Sequence, residues 1–141
     1  MAELLILPAL ILGLVIGLYE LILIHGDENF KGSHWFKHGL HAATFAIAGT
    51  FMTMNADWVY TTFNFLHTIP FVQNIIVFRI AIGLIMVIKI HSTSAVVKST
   101  VGNSKGLKET WIHSLIVGAL IVLAPYIWPY IAPMLAPYGI K

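Results

Sequence analysis

Four stretches of about twenty mostly apolar residues, separated by short polar segments, constrain this chain more than any motif in it. They cover residues 4–25, 34–54, 71–91 and 110–130. At ~1.5 Å of rise per residue, a helix of about twenty residues crosses the ~30 Å hydrocarbon core of a bilayer. Only 10% of the residues are charged and 58% are hydrophobic, with a mean hydropathy of +0.85. A soluble domain carries roughly 25% charge, and a chain this poor in it cannot cover a water-facing surface. The expectation is an all-α integral membrane protein, a single transmembrane domain with four transmembrane helices.

The first stretch, LLILPALILGLVIGLYELILIH, is read as a retained helix. Met-Ala-Glu before it lacks the basic residues of a signal peptide, and no Ala-x-Ala site follows. The second is rich in small residues (Ala42, Ala43, Ala46, Ala48, Gly49), which let neighbouring helices approach closely. Between the second and third lies NADWVYTTFNFLHTIP, whose Trp58, Tyr60, Phe63 and Phe65 suit the headgroup boundary. It is expected as an interfacial segment. The fourth passes into a proline- and aromatic-rich tail, residues 125–141, with prolines at 125, 129, 133 and 137. Each proline removes an intrahelical hydrogen bond, so the part from Trp128 onward is expected at the interface, with Tyr126, Trp128, Tyr130 and Tyr138 as anchors.

Orientation follows from the basic residues. Lys31, Lys37, Lys89, Lys98, Lys105 and Lys108 flank the first and third loops, against Lys141 alone on the other side. The positive-inside bias places loops one and three in the cytoplasm and both termini outside. The cell membrane is the expected location.

That topology gathers six of the seven histidines (His25, His34, His38, His41, His91 and His113) at the cytoplasmic face. His34, His38 and His41 are spaced i, i+4, i+7, one face of a helix. Imidazoles so spaced can share a metal, and His25, Asp27 and Glu28 stand nearby in sequence as further ligands. Nitrogen and oxygen donors without sulfur suit Cu, Zn or Fe. Haem is the lesser option, because it needs histidines on two facing helices. Histidines at an interface also simply hydrogen-bond headgroups and carbonyls. The stretch HWFKHGLH resembles the first histidine box of membrane desaturases and hydroxylases, but only over those residues. That family also needs boxes ending in paired histidines, and no His-His pair occurs here.

Two charges lie inside apolar stretches, Glu20 in the first and Arg79 in the third. An arginine at a helix centre costs roughly 2.5–3.5 kcal/mol on insertion scales. Arg79 stands eight residues from Phe71, so a partner outside this chain, another subunit or a cofactor, or else Glu20 through an offset of helices, is expected to satisfy it.

Several classes are excluded. The chain has no cysteine, hence no disulfide, thiolate or iron–sulfur chemistry. Its net charge of +2 leaves no nucleic-acid footprint. There is no phosphate-binding loop, H-E-x-x-H or G-x-S-x-G motif. The expected role is a small multi-pass subunit of a larger membrane complex, redox or monooxygenase-type (a copper membrane monooxygenase or a respiratory complex), with structural duties. It would contact other subunits through Arg79, Trp128 and Tyr130. The alternatives are a membrane metalloenzyme using the histidine face, and an oligomeric ion or proton conductor using Glu20 and Arg79.

Overall fold

A computed structural model describes residues 4–26, 34–100 and 111–140, and the side chains of 4–22, 39–92 and 111–140. No strand occurs among the described residues. The α-helices are α1 (Ile6–Gly26), α2 (His34–Met54), α3 (Ala56–Thr62), α4 (Ile75–Thr100) and α5 (Trp111–Leu135), with 3₁₀ turns at Asn64–Thr68 and Ala136–Tyr138.

The four long helices form a bundle. α1 packs on α2, α2 on α4, α4 on α5, and α5 returns to α1, with α2 and α5 also touching across the middle. Their register is read from close approaches. Gly17 meets Ala43 and Leu21 meets Gly39, so α1 and α2 are antiparallel. Gly49 meets Met86, and Gly118 meets Gly83 and Val87, which continues the alternation up-down-up-down. One end therefore collects the C-termini of α1 and α4 with the N-termini of α2 and α5. The other carries α3 and the 3₁₀ turns.

Small residues set the spacing of the helices. A Cβ on Gly13 would stand 2.7 Å from the Cα of Ile47, and one on Gly83 would stand 3.1 Å from the carbonyl of Gly118. Backbones this close gain dispersion contacts that larger side chains would prevent. The small-residue faces are thus used within the chain rather than offered to partners. Around them the core is apolar: Leu12, Ile16, Ile82, Ile90, Val117 and Ile121 are buried, as is Trp128.

Helix ends differ from the sequence reading chiefly at both ends of α4 and at the end of α5. α4 starts at Ile75 rather than residue 71, because Phe71 has φ of 69° and cannot be helical. Asn74 Oδ1 then accepts the amides of Ile76 (2.9 Å) and Val77 (3.4 Å), an N-cap. α4 also continues past His91 to Thr100, since no glycine or proline stands between Gly83 and Gly102. α5 remains helical to Leu135 with Pro125, Pro129 and Pro133 inside it.

The α3 end is closed by polar side chains aimed at backbone. Asn55 Oδ1 accepts the Leu5 amide at 2.6 Å, while its Nδ2 donates to the carbonyls of Leu5 (3.2 Å) and Phe51 (3.0 Å). One side chain so satisfies the start of α1 and the end of α2 together. The Tyr60 hydroxyl donates to the Val72 carbonyl, and its ring centroid lies 5.0 Å from that of Phe78. Burial, with Asp57 adding to it, raises the Tyr60 pKa above its ordinary value, which keeps the hydroxyl a donor.

Two helical segments, Ile75–Ser92 and Trp111–Tyr138, are long and apolar enough to cross a membrane, with mean hydropathies of 2.1 and 2.0. Ile6–Ile22 is apolar but shorter.

Candidate functional site

Arg79 is held by its own chain. Its Nε donates to the Thr53 carbonyl at 3.1 Å and Nη1 to the Tyr126 hydroxyl at 3.1 Å. Its Cζ stands 5.1 Å from the Tyr126 ring centroid. Thr53 belongs to the last turn of α2, where carbonyls lack intrahelical donors and the helix dipole is negative. A guanidinium there meets partial negative charge without a carboxylate. The depth is also less than the sequence suggested: α4 begins at Ile75, so Arg79 stands one turn in, roughly 6 Å. Glu20 is not its partner. Asn55 bonds Leu5 at one end of α1 and Gly39 meets Leu21 near the other, so Thr53 and Glu20 are separated by roughly 20 Å along the bundle.

The same region answers what becomes of a carbonyl freed by proline. Pro125 has no N–H, which leaves the Ile121 carbonyl without its usual donor. Thr53 Oγ1 supplies one from α2 at 2.8 Å, and also reaches the Thr50 carbonyl at 3.1 Å. Thr53 therefore serves twice, with its hydroxyl toward α5 and its carbonyl toward Arg79. Sequence reasoning singled out neither Thr53 nor Asn55, nor Tyr126 as an arginine partner. The available signal was the proline itself, which demands a donor from a neighbour.

The opposite end of the bundle is where the sequence placed its histidines. The helix ends bring the backbones of His25, His34, His38, His41, His91 and His113 to that end. The side chains of His25, His34 and His38, together with Asp27 and Glu28, lie outside the described residues. His41 is exposed, His113 is half-buried, and the His91 ring stacks on Trp111 with centroids 3.7 Å apart. Among the described residues no three His, Asp or Glu side chains come together as metal ligands.

The interior also holds polar side chains that find no hydrogen-bond partner among the described residues. Glu20, Thr50 and Ser114 are each 0% exposed. Both carboxyl oxygens of Glu20, Thr50 Oγ1 and Ser114 Oγ lack a hydrogen-bond partner among the described residues. The aromatic residues expected as contacts divide: Trp128 is 7% exposed and belongs to the core, while Tyr130 is 82% exposed. A groove of about 410 Å³ runs between α1 and α2, lined by Leu10, Thr44, Ile47, Ala48, Phe51 and Met52. Its one hydroxyl, on Thr44, bonds the Leu40 carbonyl at 2.9 Å, so the groove offers no free polar handle.

No protein-family model, curated protein or solved structure matches this chain. The functional reading rests on the molecule alone.

Proposed function

We propose that this chain is a multi-pass membrane protein whose four long helices all span the bilayer, and that it serves as a small structural subunit of a larger membrane complex. One observation carries the membrane reading, the polarity of the bundle. Leu7, Leu10, Leu14, Val15, Leu18 and Ile22 line the outer face of α1; Leu84, Ile85 and Ile88 do so on α4, and Ile112 and Leu115 on α5. Glu20, Thr50, Thr53, Asn55 and Ser114 are inside. Exposed apolar patches on soluble monomers rarely exceed a few hundred Å², and polar residues of membrane helices turn inward. Only 33% of the Ile75–Ser92 window and 28% of the Trp111–Tyr138 window is buried, unlike the core helix of a soluble protein. The two loops flanked by lysines face the cytoplasm in this reading, with both termini outside.

The subunit role draws on the end of α5. Arg79 and the glycine faces find their partners within the chain, so they give it no support. Tyr130, Met134 and Tyr138 are 82%, 73% and 79% exposed on a proline-stiffened segment. Pro129 and Pro133 also each withhold an N–H from the carbonyls of Pro125 and Pro129, which leaves acceptors for a neighbouring chain. A redox or monooxygenase-type complex is the proposed host, because six histidines stand at one end. The same histidines favour the second reading, a membrane metalloenzyme with His34, His38 and His41 as ligands.

Purification in mild detergent separates the two. A stable complex with other membrane proteins and no metal bound to this chain supports the subunit. A homo-oligomer carrying metal that His38→Ala removes supports the enzyme and overturns the subunit.

A further inference from the structure

Glu20 and Ser114 are two buried polar side chains to which neither reading gives a task. They stand on α1 and α5, which pack directly on one another. α2 supplies the common ruler. Gly49 meets Ile121, which sets Ser114 level with Ala42; Gly17 meets Ala43, which sets Ala42 level with Leu18. The Thr53 bond to the Ile121 carbonyl gives a second ruler, which sets Ser114 nearer Ala46, so Glu20 and Ser114 differ in height by about two to six residues, roughly 3–9 Å. Helical side chains slant toward the N-terminus of their helix, and that slant brings the Glu20 carboxyl toward the Ser114 level. Among the described residues, the buried positions of α2 at this level are small: Gly39 and Ala42 are buried and Ala43 is half-buried.

An ionised carboxylate with no donor is not stable in an apolar interior. The Ser114 hydroxyl can donate one bond to the carboxylate and accept another, but one neutral hydroxyl leaves the charge of a buried carboxylate uncompensated, so what completes the pair is a proton or a cation. Divalent cations draw six or more oxygens and usually several carboxylates. Among the described residues the other carboxylate is Asp57, at the far end of the bundle. We infer that Glu20 and Ser114 form a binding site for a small monovalent cation, a proton or Na⁺, between α1, α2 and α5. Among the described side chains the titratable groups nearest this level are Tyr19 on α1, half-turned outward at 38% exposure, and the bases His41 on α2, His113 on α5, and Lys89 and His91 on α4. His25 and His38 stand beyond, outside the described side chains. The site is independent of whether the chain has partner subunits.

The test is modification of the intact protein, in detergent, by dicyclohexylcarbodiimide, an apolar reagent that attacks protonated carboxyls, with peptide mass spectrometry as the readout. Glu20 is expected to react faster than the exposed Asp57 at neutral pH, despite its burial. Protection by NaCl at fixed pH identifies Na⁺ as the occupant; protection only by raised pH identifies the proton. Ser114→Ala should shift the half-protecting ion concentration by about tenfold, the worth of one hydrogen bond. Reaction at Asp57 without reaction at Glu20 overturns the site. So does a half-protecting concentration that Ser114→Ala leaves unchanged. Wild-type labelling is itself a readout, so the test survives a Glu20→Gln variant that fails to fold.

Discussion

The Arg79 guanidinium donates to the Tyr126 hydroxyl at 3.1 Å, with its carbon 5.1 Å from the same ring's centroid, so α5 holds the cation of α4 by an aromatic rather than an acid. Tyr126 is 45% exposed, so the contact is partly screened and its worth is modest. The other contact, to the Thr53 carbonyl, is anchored on backbone and cannot be deleted by mutating Thr53. Arg79 is thereby divided between a side-chain partner that can be tested and a main-chain one that persists.

Tyr126→Phe keeps the ring and removes the acceptor. It should lower the stability of the isolated protein by about 1 kcal/mol, and Arg79→Leu by somewhat more. A double-mutant cycle with both changes should return a coupling of about 0.5–1 kcal/mol, measured by thermal unfolding in detergent. Strict additivity rejects the contact. Arg79→Leu should leave the yield of any larger complex in proportion to the folded chain. A selective loss of assembly instead would make Arg79 a residue of the subunit interface.

The second relationship turns on a proline. Thr53→Val strands the Ile121 carbonyl, which Pro125 leaves without a donor, and should destabilise the chain by about 1–3 kcal/mol. Pro125→Ala restores an N–H at that position. Alone it should be close to neutral, and combined with Thr53→Val it should recover most of the loss. Unfolding of the four proteins in one detergent measures this, and a double variant no better than Thr53→Val rules the compensation out.

The helical class, the four long helices and the histidine end were legible because they rest on period, length and position along the chain. Arg79 shows what was not. Its apparent depth came from counting residues back to Phe71, and a single positive φ there, with the Asn74 cap, moves the helix start four residues on. Its partners, a carbonyl 26 residues away and a hydroxyl 47 residues away, have no local signature. Trp128 was misplaced for a related reason. Tryptophan suits both an interface and a core, and only the packing of α5 decides which. Glu20 was visible as a charge in an apolar stretch, whereas the burial of Ser114 on α5, which packs on α1, emerged only from the packing of the helices.

Gly13 tests the packing of α1 on α2. Alanine is the better helix former by about 1 kcal/mol, yet its Cβ would meet the Ile47 backbone at 2.7 Å, and backbone cannot rotate away. The clash should win, with a net loss of about 1–3 kcal/mol. Gly139→Ala is the contrast: nothing stands within 4 Å, and its φ of 77° carries the whole penalty of about 1–2 kcal/mol. Gly13→Ala should therefore separate the helices as well as lower stability, and Ile47→Gly should not rescue it, because the 2.7 Å contact is with the Cα that glycine keeps. A stabilised Gly13→Ala contradicts the close approach.

Topology is the last prediction, and the absence of native cysteine makes it clean to measure. Ser104 lies between the lysines of the third loop, and Tyr138 is 79% exposed at the α3 end of the bundle. If the four helices span, these positions are on opposite sides. An impermeant maleimide added to intact cells should then label one of Ser104→Cys and Tyr138→Cys but not both, and both after permeabilisation. The positive-inside rule makes Tyr138→Cys the accessible one. Labelling of Ser104→Cys alone would invert the orientation while keeping the four spans. Labelling of both before permeabilisation would remove the membrane reading itself, because α5 would no longer separate the two ends.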